Sequence, residues 1–335
     1  MIIAIAWAGT SGRLDELARE INAQRKNIDI GKVPKILAPF KYVIFFWMTQ
    51  ILLFSRRPSV VYCQNPPVFA PFACIPYCVT SGSRLVIDHH NVWSVKTFGT
   101  SSLSKALRAL EHMAARVAFL NTVPHDYWRD VISQQFSGRA LTIHDHVERN
   151  RYSRNSSLRM KVAASGLIGM AASLSFQERI EVEAIGVEMI EGATLAITGP
   201  PERLGSRLKH LGNLQKVKFL GYLPMPAYEE LKASCDFGLN ITDEPFTVNH
   251  TLFEYAAAGL PVISTRSEVI EAVFRDSILY VEESEPRAVA RRVAEFVNNP
   301  SRLEEFRNRI SRRFDELTLS GSKEIRLLQN LLLSA

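Results

Sequence analysis

The stretch LVIDHHNVW, residues 85–93, runs from three apolar residues (Leu85, Val86, Ile87) straight into Asp88, His89, His90 and Asn91. A carboxylate beside an imidazole is a pairing that can draw a proton from a hydroxyl group at neutral pH. Asp88, His89 and His90 are therefore each candidate catalytic bases. The alternative is that Asp88 orients a neighbouring histidine or caps the following helix. A second stretch, DEPFTVNHTLFEYAAAGLPVISTRS, residues 243–267, places Glu254 one turn into a helix of small residues that Gly259 ends and a buried strand follows. The start of that helix, at Asn249, His250 and Thr251, offers N–H groups and a positive dipole end to a diphosphate, and Glu254 can accept the two hydroxyls of a ribose. An ordinary capped helix with an exposed glutamate is the plainer reading.

These residues need a scaffold that brings them to strand ends. Short apolar runs of strand character alternate with helical periodicity twice along the chain. They are residues 2–7, 60–63, 85–87, 117–120 and 141–143, then 162–164, 194–198, 217–220, 237–241 and 262–264. A chain of 335 residues exceeds one ordinary core, so the pattern predicts two parallel-sheet α/β domains, residues 1–152 and 153–335, with the last helix free to cross back. The polar, arginine-rich residues 149–161 read as the linker. Ligands of such sheets bind beyond the carboxyl ends of the strands. Four loops fall there: Gly9 to Arg13 in WAGTSGR, Gln64 to Pro67 in CQNPP, the Asp88 stretch, and Gly199 to Pro201 in ITGPP. Gly9 and Gly12 would let backbone approach a phosphate or acceptor, with Arg13 as charge partner. Asn65 could bond an acceptor hydroxyl, and Gly199 opens the corresponding loop of the second half.

A net charge of +6 and a pI near 9.2 favour anionic ligands, but the basic residues are scattered, which fits nucleotide diphosphates or anionic lipid as well as nucleic acid. Four cysteines without a CxxC pair argue against a zinc site or disulfide framework. No paired carboxylates stand at a two-metal spacing, so donor binding is expected without metal. Residues 41–57, KYVIFFWMTQILLFSRR, hold 14 uncharged residues between basic ends, too few for a membrane span of roughly 20. They read either as a buried helix or as one lying in a membrane interface. The N-terminus lacks a basic leader region and reads as a first strand, so a cytoplasmic protein, peripheral at most, is expected.

The segment at residues 243–267 resembles the donor-binding loop, helix and strand of GT-B glycosyltransferases. In the first half, CQNPPVFAPF, SRLVIDHHNVWSVKTFG and LTIHDHVERNRY follow one another as related segments do in Alg1-type β-1,4-mannosyltransferases, which extend lipid-linked chitobiose; bacterial GT4-like enzymes share the general pattern. GYLPMPAYEEL, residues 221–231, resembles the turn that holds the nucleotide base, with Tyr222 and Leu223 as contacts, and residues 173–185 resemble the entry to the first helix of that domain. The resemblance implies a GT-B fold of two Rossmann-like domains facing across a cleft. It also implies a metal-independent, inverting transfer from a UDP- or GDP-linked sugar to a lipid-linked or oligosaccharide acceptor. The chain departs from the pattern at Thr251, where the family commonly has a lysine, leaving phosphate to helix N–H groups, His250 or arginines such as Arg13, Arg179 and Arg203. His89 stands where the family has tryptophan. His125 with Asp126, and His144 to His146, are rival polar sites. A sugar-nucleotide epimerase and a non-catalytic partner subunit remain the competing functions. A dinucleotide oxidoreductase is disfavoured, because no GxGxxG follows the first strand.

Overall fold

The computed structural model describes the chain except residues 10–11, 32, 91–100, 146, 151, 154–158, 160, 163–165, 172–177, 201–204, 206–207 and 334–335. Two compact units emerge, Met1–His146 with Leu319–Ala335, and Val147–Thr318.

The first unit is a six-stranded sheet, all parallel, in the order β2-β1-β3-β4-β5-β6. Its strands are β1 (Ile2–Ala6), β2 (Gln24–Asn27), β3 (Val60–Asn65), β4 (Arg84–His89), β5 (Leu120–Val123) and β6 (Ala140–Thr142). The helices between them are α1 (Gly12–Glu20), α2 (Ala38–Arg56), α3 (Phe69–Ser81), α4 (Ser102–Val117) and α5 (Asp126–Gln135). Alternation along β1 shows how both faces are covered. Ile3 and Ile5 join Phe45, Leu53 and Tyr77 on one side, whereas Ala4 and Ala6 join Leu14, Leu17, Ile325 and Leu328 on the other.

The second unit repeats the plan in the order β12-β11-β10-β7-β8-β9, again all parallel. Its strands are β7 (Leu167–Ala171), β8 (Ala193–Thr198), β9 (Val217–Gly221), β10 (Phe237–Asn240), β11 (Val262–Thr265) and β12 (Leu279–Val281). The helices are α6 (Ile180–Glu188), α7 (Leu208–Leu211), α8 (Met225–Ser234), α9 (His250–Ala257), α10 (Glu268–Phe274), α11 (Pro286–Asn298) and α12 (Pro300–Leu333). Residues of α12 up to Thr318 belong to this unit and those from Leu319 to the first. Gly238 on β10 is where α9 meets the sheet, since a Cβ there would sit 2.5 Å from the Tyr255 ring. Gly259 adopts φ +64° just past α9, which stops that helix and returns the chain to β11.

Several boundaries differ from the periodicity reading. The expected strand at residues 117–120 lies at Leu120–Val123, because Val117 completes α4; of the one expected at 162–164, residues 163 and 164 lie outside the described residues, and the next described strand is Leu167–Ala171. Strand β2, sequence QRKN, is polar and sits at the sheet edge, and β12 is three residues long. Neither offers an apolar run. The described part of the expected linker is anchored on the second unit: Arg149 pairs with Asp315, Asn150 donates to Glu229 O at 3.0 Å, and Arg159 bonds Asp236 at 2.9 Å. Helix α2 buries Phe45, Thr49 and Leu53 along one stripe and leaves Phe40, Ile44, Trp47, Ile51 and Phe54 exposed along another. Among the described residues no helix is long and apolar enough to cross a membrane.

Candidate functional site

In the first unit, Asp88 and His89 are the last two residues of β4 and are fully buried, while His90 follows the strand end half-buried. Asp88 is not a loop residue. Its Oδ1 accepts from Thr122 Oγ1 at 2.8 Å and from Arg13 Nη2 at 3.2 Å, and Arg13 Nη1 also reaches Asp145 at 2.6 Å. Because the Thr122 hydroxyl proton goes to Asp88, the Tyr62 phenol, 2.7 Å from Thr122 Oγ1, is the donor in that contact. Burial alone would raise the Asp88 pKa, but Arg13, His90 and Thr122 outweigh it and hold the carboxyl below the usual range. Arg13 is likewise raised: burial opposes its charge, and Asp88 and Asp145 more than compensate. The guanidinium expected to meet a ligand phosphate is therefore committed inside the unit.

His89 has both ring nitrogens engaged, Nδ1 3.0 Å from Asn65 Nδ2 and Nε2 2.9 Å from Asn121 Oδ1. An amide nitrogen can only donate and an amide oxygen only accept, so the ring is neutral with its proton on Nε2. Desolvation pushes its pKa down in agreement. With its basic nitrogen occupied, His89 is not placed to take a substrate proton. Asn65 also donates to Glu111 at 2.7 Å, which turns its amide toward the interior and away from an acceptor.

His90 is the member of the trio that reaches the surface. Its backbone N–H donates to Asn65 O at 2.9 Å, and its Nε2 lies 3.1 Å from Asp88 Oδ2, within ion-pair range but not aligned as a hydrogen bond. The pair is an imidazole backed by a buried, ionised carboxylate, at the carboxyl end of a central strand. Among the rivals, Asp126 opens α5 and accepts from Thr142 and Arg129, a structural role. His144 Nδ1 is 2.8 Å from Glu324. His146, Asn91, Ser173, Ser175 and Arg203 lie outside the described residues.

In the second unit, Asn249 stands at the N-cap of α9 without a side-chain cap bond; its amide donates to Asn240 Oδ1 at 2.7 Å instead. The first turn, at His250 and Thr251, is thus left uncapped by the residue best suited to cap it. Glu254 Oε2 accepts from Tyr228 Oη at 2.6 Å, and its Oε1 is 3.9 Å from His250 Nε2. Burial, then the Glu254 charge, pushes the Tyr228 phenol far above its ordinary range, so Tyr228 donates and Glu254 accepts. Lys232, itself buried, pairs with Glu229 at 2.7 Å and lies 4.6 Å from the centre of the Tyr228 ring. Sequence reading missed Tyr228 and Lys232. Both lie just past GYLPMPAYEEL or within it, yet nothing in the spacing marks Tyr228 as the partner of Glu254.

Gly199 donates its N–H to Gly221 O at 2.9 Å, joining the ends of β8 and β9. Tyr222 follows immediately and is 79% exposed, with Leu223 half-buried beside it. A strand-to-helix turn with a buried aromatic would have hidden that ring. Arg179 pairs with Asp243. Among the described residues no group of three His, Cys, Asp or Glu side chains could hold a metal ion.

The Glycosyl transferase-like family model matches residues 179–319. No curated protein matches the chain in sequence. Among solved structures, Anabaena HepE in complex with UDP and glucose is 14% identical, with a TM-score of 0.75 and 98% of each chain covered. Sucrose-phosphate synthase from Thermosynechococcus elongatus is 12% identical at a TM-score of 0.78, again over 98% of each chain. WaaG, a glycosyltransferase involved in lipopolysaccharide biosynthesis, is 12% identical at 0.74 over the full length of both. Two six-stranded parallel sheets in one chain are the GT-B architecture these proteins share, and the glycosyl transferase-like match over residues 179–319 falls on the second of the two sheets.

Proposed function

We propose that the protein moves a sugar from a nucleoside diphosphate, with UDP favoured over GDP, to a hydroxyl of a lipid-linked saccharide, with inversion at the anomeric carbon. The observation that carries the reading is the Asp88–His90 pair. With Nε2 turned to Asp88, His90 Nδ1 takes the acceptor proton as the hydroxyl oxygen bonds to the anomeric carbon. The bond from that carbon to the diphosphate oxygen breaks, and the nucleoside diphosphate leaves with both electrons. Asp88 stabilises the imidazolium that forms, as a buried carboxylate beside a base does.

The second unit supplies the donor contacts. The first turn of α9, at Asn249, His250 and Thr251, receives the diphosphate in place of the family lysine. Glu254, fixed by Tyr228, accepts the ribose hydroxyls, and Tyr222 and Leu223 meet the base beside Gly199. UDP in the HepE complexes supports the choice of nucleotide. The exposed apolar stripe of α2, which ends in Arg56 and Arg57, supports a membrane-surface acceptor and a peripheral, cytoplasmic-face location.

The test is product stereochemistry with an α-linked UDP-sugar and, in parallel, His90→Gln. A β-linked product and a loss of about 10²- to 10⁴-fold in kcat, with unchanged melting, are expected. An α-linked product formed at an undiminished rate by the variant would remove His90 as the base and inversion with it.

A further inference from the structure

Helix α2 carries a third face. Pro39, Tyr42, Val43 and Phe46 line a cavity of about 520 Å³ with Phe69 and Phe72 of α3, Leu103 and Leu107 of α4, and Trp7 just past β1. Every described lining residue is apolar or aromatic. Trp7 stacks with Tyr42 at 6.1 Å between ring centres, and Tyr42 meets Phe69 at 4.9 Å. The Trp7 indole N–H is already given to Thr49 Oγ1 at 3.0 Å, so the ring presents only carbon to the space. A cavity without polar partners holds water poorly, and its natural occupant is hydrocarbon.

Position distinguishes one hydrocarbon from another. Trp7 follows the end of β1 and Phe69 follows the end of β3, and β3 is the strand between β1 and β4. Asn65, four residues before Phe69, accepts the backbone N–H of His90. The cavity therefore opens along the same sheet edge as the candidate base, about two strand spacings or ~10 Å from it at Trp7. A tail held here would leave the head of the same molecule at this sheet edge, on the side where His90 follows β4.

We propose that this cavity binds the hydrocarbon chain of the diphosphate-linked acceptor and so sets the sugar's position at His90. The inference rests on the lipid-linked reading of the acceptor above. It makes the protein a reader of chain as well as of sugar, with the cavity lined by the turn after β1 and by α2, α3 and α4.

The experiment titrates the full-length protein with ethyl, hexyl and dodecyl diphosphate below micelle formation, and with UDP in a separate arm. Affinity is expected to rise about tenfold for every two methylenes added until the cavity is full. Leu103→Asp and Val43→Asp, both at exposed positions, are expected to abolish that rise while UDP affinity and melting temperature stay as in the unaltered protein. Affinity independent of chain length, or a rise that survives both substitutions, overturns the proposal. Displacement of dodecyl diphosphate by phosphatidylglycerol vesicles at equal chain concentration overturns it too, by assigning the cavity to a bilayer lipid. Loss of UDP binding with the chain-length dependence intact breaks the transferase reading and leaves the cavity's preference standing.

Discussion

The carboxyl end of β4 and the start of α9 are both strand-edge sites rich in polar residues, yet they handle charge in opposite ways. At β4 the charges are matched internally: Asp88 and Asp145 surround Arg13, and His89 is locked between Asn65 and Asn121. At α9 the N-cap Asn249 gives no side-chain cap bond, and Glu254 accepts from the Tyr228 phenol with His250 3.9 Å away. A buried, self-matched network keeps Asp88 ionised beside His90. A helix start that its N-cap side chain does not bond suits a ligand's charge. The difference teaches that residue type alone does not separate a binding group from a supporting one; the partner does.

Breaking the first network should have the largest effect. Arg13→Ala strands two carboxylates at least partly buried, and a loss of about 3–5 kcal/mol in unfolding free energy is expected by urea titration. A loss below about 1 kcal/mol would mean that the network is not closed as described. At the second site the effect is smaller. Tyr228→Phe keeps the ring and removes one charge-assisted hydrogen bond, so stability should fall by about 1.5–3 kcal/mol or less, accompanied by weaker nucleotide affinity. Unchanged affinity in that variant would separate Tyr228 from the donor site.

The two units should also part company in pH. The Asp88 carboxyl is depressed when folded, so the stability it contributes is present above its unfolded pKa of about 3.9 and is lost as pH falls below that value. Glu183, a buried residue of α6 with Oε1 accepting from Ile241 N at 2.8 Å, goes the other way. Burial, reinforced by Glu178 and Glu181, raises its pKa well above the ordinary range, so its contribution is present below about 4.3 and declines as pH rises. Glu183→Gln should therefore flatten the fall in melting temperature as pH rises above about 4.3, and Asp88→Asn should flatten the fall below about pH 3.9. Identical pH profiles for both variants would remove the contrast.

How much of this was legible in the sequence follows from the same distinction. The alternation of apolar runs and helical periodicity carried the doubled α/β plan, because buried parallel strands must be apolar on both faces. It failed at β2, whose QRKN reads as a loop and is held at the sheet edge by pairing to β1 and by Arg25 on Asp15, and at β12, too short to show a period. The Asp88 and Glu254 stretches stood out by residue type. The roles within them did not, since Asp88, His89 and Arg13 are distinguished from His90 only by partners brought from Asn65, Asn121, Thr122 and Asp145. Tyr228 was unreadable for the same reason: its partner lies 26 residues away on another helix.

The most direct test of the account is a calorimetric titration of UDP into the unaltered protein, Glu254→Ala and His90→Gln. Saturable UDP binding is expected, weakened roughly ten- to a hundredfold in Glu254→Ala by the loss of hydrogen bonds to a charged group and unchanged in His90→Gln. No UDP binding by the unaltered protein, or affinity indifferent to Glu254, would contradict it.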